Sequence, residues 1–372
     1  MPQNSAAVLP APYADLVVRD ADYTAPAAGE LVIRNRAVAV NPLDEIKQST
    51  GDLMYKWLPH PAVLGEDVAG DVVEIGPGVT GFHVGDRVVA YAVGMEKGRN
   101  HTAEGGFQLY SVVEAQLTAR IPDDLAFEDV VVLPLAISTA ASALFQKDQL
   151  GLDHPTAGGH HPAPRQSVLV WGGSTSVGSN AIQLAVAAGY RVVTTASPHN
   201  HDRMRALGAE HVVDYRSPSA VSDLLTLLDD QTVAGIFAVG TGSAEPCLTI
   251  AIATGARRLC LASPSVSMST LPRRRSLLAL SRFGLQMASR VAPLMVRSRL
   301  RGIRTRFVWG SSLMTNEVGP MLWNDFLPKA LADRSYVTAP RAEVVGTGLQ
   351  SIQPALDAVR EGASATKFVV LL

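Results

Sequence analysis

The sequence predicts an α/β protein of two domains, one rich in β-strands and one built on a doubly wound parallel sheet. The chain has 372 residues, enough for two domains at the usual size of about 150 residues each. Its first third carries short apolar runs separated by Gly, Pro and Asp, which is typical of strands and turns. In the second half, short apolar runs alternate with helical stretches, which is typical of a parallel sheet covered by helices.

Composition narrows the class of protein. Hydrophobic residues make up 47%, charged residues 18%, and the net charge is −2, so nothing in the overall charge favours nucleic acid as a partner. Cys247 and Cys260 are too few for a disulfide framework or a cysteine-built zinc site, which favours a reducing compartment. The N-terminus lacks the order of a signal peptide, and no apolar stretch is long enough to span a bilayer without an interrupting Arg. We therefore expect a cytoplasmic protein.

The first domain is predicted to consist mainly of β-structure. Strands are predicted at residues 31–40 and 68–75, with turns at 76–78 and 85–86. A buried helix is predicted in VLPLAISTAASALF, from Pro134 onward. Residues 152–165 form a polar loop rich in Gly, His and Pro, which indicates an insertion or a linker.

The second domain is predicted to consist of alternating strands and helices. Strands are predicted at residues 168–171, 191–195, 211–213, 235–239, 257–262 and 306–309, with helical stretches between most of them. After Glu317 a helical stretch leads to short β-like pieces at 342–345 and 367–371. We expect this tail to return to the first domain.

A glycine-rich turn follows the first strand of the second domain, in VLVWGGSTSVG. Gly172 and Gly173 break the strand, and a helix is predicted at residues 179–188. Such a turn directs backbone N–H groups and the positive end of the helix dipole outward, which suits a dinucleotide pyrophosphate. The motif alone is weak evidence, because ordinary tight turns also need glycine, and Thr175 takes the middle position of the G-x-x-G-x-x-G spacing. The predicted cofactor-binding residues are Gly173, Ser174, Thr175, Ser176, Val177 and, on a later strand, Val239.

The end of the next strand favours NADPH over NADH. Enzymes that use NAD place an Asp or Glu there for the ribose 2′-hydroxyl, whereas this chain has Ser197. Ser197, Asn200, Arg203 and Tyr215 are suited to a 2′-phosphate. The alternative is an ordinary turn followed by a solvated arginine.

Several motifs, in order, resemble those of the medium-chain dehydrogenase/reductases. They are VNPLD, GEDVAGDVVEIGPGVTGFHVGDRVVAY, WGGSTSVGSNAIQLAVAAGYRVVTTASPHN and LGAEHVVDY, while NEVGPMLWNDFLPKAL and VVGTGLQSIQPALDAV are similar to the mostly fungal CipB-like "zinc-binding" oxidoreductases. That subgroup is related to quinone oxidoreductases and trans-acting enoyl reductases. The resemblance covers nearly the whole chain except residues 152–165 and much of 264–306. It implies a GroES-like catalytic domain from residues 1–137 and 335–372, a Rossmann cofactor-binding domain from 138–334, and an active site in the cleft between them.

The sequence departs from the zinc enzymes of this superfamily. They carry Cys where this chain has Asn41, Gly-His-Glu where it has Gly65, Glu66 and Asp67, and a further Cys near Leu135. Because catalytic zinc needs about three good ligands, we predict no metal, with Glu66 and Asp67 as hydrogen-bonding residues at the start of a strand. His160 and His161 are interpreted as solvated loop residues rather than metal ligands.

A superfamily member without zinc lacks the electrophile for direct alcohol oxidation. Hydride transfer from NADPH to the β-carbon of an α,β-unsaturated carbonyl stays tractable, as does reduction of a quinone, and the resemblance favours this class. Two alternatives stay open: a carbonyl reductase or alcohol dehydrogenase-like enzyme, and a non-catalytic NADPH-binding sensor or interaction protein.

Four residues are candidates for the catalytic site. Asn41 is predicted to orient the nicotinamide or substrate, or else to hold a turn. Lys47 follows the family's NPVDWK pattern one residue late, with Ile46 in the expected slot, and one residue is about 100° on a helix. Tyr55 falls near the acid tyrosine of other enoyl reductases, or else is packing. Thr139 is predicted to contact the nicotinamide end, or else to bond its own helix, and water is a further candidate proton source.

An arginine-rich segment lies where relatives are shorter. No acidic residue occurs between Glu245 and Glu317, while arginines accumulate at 273–275, 282, 290, 297, 299, 301, 304 and 306. The segment could bind an anionic membrane surface or a phosphate-bearing thioester. The alternative that we favour is a solvated helix that caps the cleft or lies near a homodimer interface.

Overall fold

The structure, a computed structural model, describes residues 2–158, 166–268 and 271–372. His160 and His161 lie outside the described residues, so their predicted role is not tested. Helices and strands are numbered separately in chain order.

The chain begins with strands and two helices. They are β1 (Asn4–Leu9), β2 (Val17–Ala21), β3 (Glu30–Ala39), α1 (Pro42–Thr50), β4 (Ala62–Val63), β5 (Asp67–Ile75), β6 (Arg87–Tyr91), β7 (Tyr110–Glu114), β8 (Thr118–Arg120) and α2 (Phe127–Val130).

The middle of the chain alternates helices and strands. They are α3 (Pro134–Phe145), β9 (Ser167–Trp171), α4 (Ser176–Ala187), β10 (Arg191–Thr195), α5 (His201–Ala206), β11 (His211–Val213), α6 (Ala220–Leu228), β12 (Val233–Ala238), α7 (Ala244–Thr254), β13 (Arg258–Leu261), α8 (Leu277–Leu300), β14 (Arg304–Phe307), α9 (Val318–Pro320), a π-helical turn (Met321–Phe326) and α10 (Leu327–Ala332). The chain ends with β15 (Arg341–Thr347), α11 (Ile352–Glu361) and β16 (Thr366–Leu371).

The terminal parts of the chain share one mixed sheet. Its described strands run in the order β15-β16-β3-β5-β6-β8, with β7 also paired to β3, and a smaller sheet has the order β2-β1-β4. Strand β16 pairs antiparallel with β3 from Val369 opposite Ala39 to Leu371 opposite Ala37. The predicted return of the tail to the first domain is confirmed.

The middle of the chain forms a parallel sheet. Its described strands run in the order β11-β10-β9-β12-β13-β14, and every pair is parallel. From the central strand β9, the chain adds β10 and β11 on one side of the sheet and then β12, β13 and β14 on the other side, which is the doubly wound pattern. The predicted α/β class, a β-rich domain with a doubly wound parallel sheet, is confirmed. Because the strands are parallel, their carboxyl ends share one edge of the sheet.

Two predicted elements are placed differently by the structure. The helix after the glycine turn begins at Ser176 and not at 179, because Thr175 caps it: its Oγ1 accepts a hydrogen bond from the Gly178 N–H at 2.9 Å. The last strand of the parallel sheet lies at Arg304–Phe307 and not at 306–309, because it pairs with β13 only as far as Phe307 opposite Leu261. Trp309 therefore lies beyond the sheet.

The two domains share an apolar core around α3. One cluster of buried side chains runs from β3, β5 and β6 through α3 into β9 and α4, so the glycine turn has a fixed place relative to the mixed sheet. Phe127–Phe145, which contains α2 and α3, is the one described helical stretch with the length and mean hydropathy, 1.5, to cross a membrane. This corrects the expectation that no stretch qualifies; the stretch lies in the protein core, with 78% of the apolar window buried.

Candidate active site

The glycine turn after β9 leaves backbone donors free. Gly172 has φ +84°, and a Cβ there would lie 2.5 Å from the Val239 carbonyl oxygen, so the close approach of β12 requires glycine. The Val239 N–H donates to the Trp171 carbonyl at 3.0 Å, which places this predicted residue beside the turn. Within the described residues, the N–H groups of Ser174, Ser176 and Val177 have no backbone acceptor. Three free donors at the start of a 12-residue helix suit a phosphate group.

The predicted 2′-phosphate residues lie at the neighbouring strand ends. Thr195 pairs with Val213 in the parallel register of β10 and β11, so Ser197 and Tyr215, each two residues further on, emerge at the same edge of the sheet. Ser197 and Asn200 are buried, whereas Tyr215 is exposed.

The acidic and basic side chains that follow β10 already have partners. The first carboxylate after β10, Asp202, points into solvent and pairs with Arg205 at 2.8 Å. The guanidinium of Arg203 is only partly available to a ligand, because its Nη1 donates a hydrogen bond to the Ala365 carbonyl, in the loop before β16, at 2.7 Å. Arg203 thus links the two domains beside the predicted phosphate position.

Asp67 is the centre of a buried polar cluster where the two domains meet. Its Oδ1 accepts a hydrogen bond from the Leu135 N–H at 2.6 Å, and its Oδ2 accepts one from Asn41 Nδ2 at 2.7 Å. The Lys367 Nζ lies 2.5 Å from Oδ2 and also donates to the Val132 carbonyl at 3.1 Å. Asn41 therefore holds the start of β5 through Asp67.

Lys367 is missing from the sequence-predicted site. A signal for it does exist: a lone lysine in TKFVVLL, a strand of otherwise mostly apolar residues, needs a buried acceptor or counter-charge. The sequence does not say which of the 34 acidic residues supplies that charge.

The residues at this position do not fit a zinc ion. Asn41 and Leu135 occupy the positions where zinc enzymes of the superfamily that this chain resembles carry cysteine. Both donate an N–H group to Asp67, so neither offers a lone pair to a metal ion there. The ammonium of Lys367 would repel a cation bound at Asp67. No group of three His, Cys, Asp or Glu side chains in the described parts of the chain is arranged to hold a metal.

Asp44 joins helix α1 to the segment between β4 and β5 that carries Glu66. Its Oδ2 accepts from the Asn41 N–H at 2.9 Å in a capping box, and its Oδ1 accepts from the Gly65 N–H at 3.0 Å. Burial, together with the charge of Asp67, raises the pKa of Asp44 to about 7, although the two N–H bonds oppose that shift.

Tyr55 and Glu66 present unpaired polar atoms in the same region. Both the Tyr55 hydroxyl and Glu66 Oε2 are buried without a hydrogen-bond partner among the described residues. Tyr91 donates its hydroxyl hydrogen to Glu66 Oε1 at 3.3 Å. Burial and then the charge of Glu66 raise the pKa of Tyr55 far above its usual value, so the phenol keeps its proton at neutral pH.

Aromatic residues from both domains surround Tyr55. Its ring centroid lies 5.6 Å from those of Trp57 and Trp309, and Trp309 follows β14 of the parallel sheet. The indole N–H of Trp309 donates to Glu96 Oε1 at 3.0 Å. Tyr55 therefore lies at the contact between the domains, where the resemblance places the substrate cleft.

The side chains of Lys47 and Thr139 contact loop residues of the protein. The buried Lys47 ammonium donates to the Gly51 carbonyl at 3.2 Å, to Asp52 Oδ1 at 3.1 Å and to the Tyr55 carbonyl at 3.5 Å, so it holds the turn that carries Tyr55. Thr139 faces the loop that starts at Trp309: a Cβ on Gly310 would lie 2.4 Å from its Oγ1. Tyr55 and Glu66 thus lie near enough for the charge of Glu66 to act on the phenol, whereas the Lys47 ammonium is occupied by the turn that carries Tyr55.

Comparison with known proteins agrees with this architecture. Residues 27–123 match the family model of the alcohol dehydrogenase GroES-like domain. The chain is 46% identical over 374 residues to the dehydrogenase pigH of Monascus ruber, covering 100% of both chains. It is 37% identical to the zinc-binding alcohol dehydrogenase domain-containing protein cipB of Emericella nidulans, covering 95% of this chain and 93% of that one. It is 35% identical to the trans-enoyl reductase himH of Aspergillus japonicus, covering 92% and 89%.

Solved structures share the fold at lower identity. An alcohol dehydrogenase superfamily protein from Novosphingobium aromaticivorans superposes with a TM-score of 0.72 at 24% identity, covering 99% of each chain. A mycobacterial protein solved in complex with NADPH gives a TM-score of 0.66 at 21% identity, covering 99% of this chain and 100% of that one.

Proposed function

The chain belongs to the medium-chain dehydrogenase/reductase superfamily of oxidoreductases, and we propose that it is an NADPH-dependent, zinc-independent reductase of an activated C=C bond or a quinone. The observation that carries the proposal is the pair of unpaired buried polar atoms, the Tyr55 hydroxyl and Glu66 Oε2, where the domains meet. Relatives that bear the name trans-enoyl reductase support the reaction class.

The free N–H groups of Ser174, Ser176 and Val177 would hold the pyrophosphate of the cofactor. Ser197, Asn200 and Tyr215 would surround the 2′-phosphate, and the first carboxylate after β10, Asp202, pairs with Arg205 instead. When bound, NADPH supplies the hydride that the substrate's β-carbon accepts. The preference for NADPH rests on the absence of an acidic side chain at Ser197, where enzymes that use NAD need one.

Tyr55 provides the electrophile in this proposal. As hydride adds to the β-carbon of an enone, negative charge moves to the carbonyl oxygen, and a donor placed there lowers the barrier. The phenol suits this role because it keeps its proton at neutral pH and has no other acceptor among the described residues. The α-carbon then takes a proton from water, which completes the addition of two hydrogens across the C=C bond.

Glu66 and Asn41 assist without a metal. Burial, and then the charge of Asp44, raises the pKa of Glu66 well above its usual value, which disfavours a negative charge beside the phenol that would repel a developing enolate. Asn41 holds the start of β5, where the two domains meet, through its hydrogen bond to Asp67. We propose that the enzyme needs no zinc because these residues, together with Tyr55, supply the donors.

A substrate panel tests the proposed function. Purified protein is assayed for steady NADPH consumption with an enone, a quinone and a saturated ketone of matched size. We expect turnover with the enone or the quinone and none with the ketone. Turnover of the ketone would indicate a carbonyl reductase, and NADPH binding without any turnover would indicate a sensor; either result would overturn the proposal.

A further inference from the structure

The long helix α8, Leu277–Leu300, has one face on the protein and one that faces solvent. Its only buried residues among the 24 are Leu294 and Ser298, and it packs on α7 and β14. Large apolar side chains nevertheless project outward: Leu278 is 63% exposed, Leu285 72% and Val296 58%. Their spacing of seven and eleven residues places them on one face of the helix.

Arginines flank this apolar stripe on both sides. Arg282 follows Leu278 by four residues, and Arg299 follows Val296 by three, so their side chains border the stripe. Neither forms an ion pair with any carboxylate in the described parts of the chain, in contrast to Arg297, which pairs with Glu245 at 2.7 Å. Arg274, Arg275 and Arg301 are exposed as well and add to the positive charge at the two ends of the helix.

We propose that this outward face of α8, the apolar stripe with its flanking arginines, docks the protein on an anionic lipid bilayer surface. A helix with exposed leucines between arginines is suited to the boundary between acyl chains and headgroups, because the leucines enter the apolar layer while the guanidinium groups contact phosphates. A second copy of the chain fits poorly, since a twofold contact would place this arginine-rich face against itself. The exposed leucines favour lipid over a purely ionic partner.

The N-terminal end of the segment holds α8 in place for such a contact. Arg273, just before the helix, donates to the Ala14 carbonyl at 2.6 Å and lies 2.7 Å from Asp15 Oδ1 in the other domain. The helix is therefore fixed at both ends, by the mixed-sheet domain and by β14. The stripe needs no ordering on binding, which lowers the entropic cost of docking.

Vesicle co-sedimentation tests the proposal with the full-length protein. Phosphatidylcholine vesicles are compared with vesicles in which part of that lipid is replaced by phosphatidylserine, at equal total lipid. We expect sedimentation with the phosphatidylserine vesicles only, decreasing as salt rises. Arg282→Gln with Arg299→Gln should weaken binding by about 10- to 30-fold, and Leu285→Glu should abolish it.

Matched variants on another surface serve as controls. Val84→Glu replaces an equally exposed apolar residue of the mixed-sheet domain, and Arg19→Gln removes an exposed arginine on β2; both should leave vesicle binding unchanged. All variants should keep NADPH-dependent activity in solution, because none touches the cleft. No sedimentation with phosphatidylserine vesicles, or equal loss with the control variants, would overturn the proposal. So would a dimer in sedimentation velocity that Leu285→Glu dissociates, because the stripe would then serve a second copy.

Discussion

At the scale of single residues, Tyr55 is the most constrained side chain of the candidate site. Its backbone has φ +50°, a left-handed conformation that costs a residue with a Cβ about 1–2 kcal/mol. Lys47 bonds to the carbonyl of Tyr55 and to Gly51 on the same turn, which holds that conformation. The strain and the unpaired hydroxyl occur in one residue, as is common at functional sites.

Replacing Tyr55 with Phe tests its role as the donor to the substrate oxygen. We expect kcat on the enone to fall roughly 100-fold, the usual effect of removing one such donor, while the Kd for NADPH stays unchanged. Tyr190→Phe is the control, because Tyr190 lies before β10, at the opposite end of the parallel sheet, where its hydroxyl accepts a hydrogen bond from the Asp153 N–H at 3.1 Å. Equal activity of the Tyr55→Phe variant and the wild type would exclude the phenol from the reaction.

In the proposed function, Ser197 determines the preference for NADPH over NADH. A Ser197→Asp substitution should weaken NADPH binding by at least about tenfold, because a carboxylate at the end of β10 repels the 2′-phosphate, and it should strengthen NADH binding. Fluorescence titration with both cofactors measures the change. Ser222→Asp, on the exposed face of α6, adds the same charge away from the turn and should change neither affinity. NADPH affinity that does not change in the Ser197→Asp variant would place the 2′-phosphate elsewhere.

At the scale of elements, a buried ion pair between Lys367 and Asp67 joins strand β16 to β5, in addition to the sheet contacts of β16. Lys367 and Asp67 are almost fully buried at 2.5 Å, so a Lys367→Met substitution leaves a buried carboxylate without its counter-charge. We expect the free energy of unfolding to fall by about 3–5 kcal/mol, as measured by urea denaturation. Adding Asp67→Asn to Lys367→Met should recover part of that loss, since the unpaired charge is then removed.

A surface ion pair of the same kind is the matched control. Lys147 lies 3.2 Å from Glu317 with its side chain 90% exposed, so Lys147→Met should cost at most about 1 kcal/mol. Similar losses for the two lysine variants would contradict the role assigned to Lys367.

Local signals in the sequence predicted most elements, and long-range contacts explain the rest. Strands such as β10 and β11 were predictable from apolar runs between turn residues, because those patterns act over a few positions. The start of α4 was misplaced because the cap depends on the side chain of Thr175. Trp309 and Lys367 could not be assigned to the site, since each meets a partner more than 200 residues away, Glu96 and Asp67.

At the scale of the whole molecule, buried carboxyl groups make stability depend on pH. Burial raises the pKa of Glu66 well above its usual value, with Asp44, Glu96 and Asp67 adding negative charge nearby. A folded pKa above the unfolded one means that the folded state binds more protons, so stability falls as pH rises above the unfolded pKa, until the folded pKa is passed.

Asp44, whose pKa is about 7, likewise lowers the free energy of unfolding as pH rises from about 4 to about 7. We therefore expect Glu66→Gln to gain stability relative to the wild type as pH rises from 5 to 8, by up to about 1.4 kcal/mol per pH unit for the one proton involved. Urea unfolding across that range measures the difference. A difference that stays constant across that range would show that Glu66 is already ionised in the folded protein at pH 5.

The molecule as a whole places the glycine turn after β9 and the buried polar cluster around Asp67 on either side of one domain contact. In the proposed reaction, protein donors, with Tyr55 foremost, do the work for which zinc enzymes of the superfamily use a metal. The most direct test is the NADPH-dependent enone or quinone reductase activity of protein stripped by chelation, with its zinc content measured by elemental analysis. We expect full activity at a negligible zinc content and no gain on adding zinc. Activity that disappears with the metal and returns with zinc would contradict it.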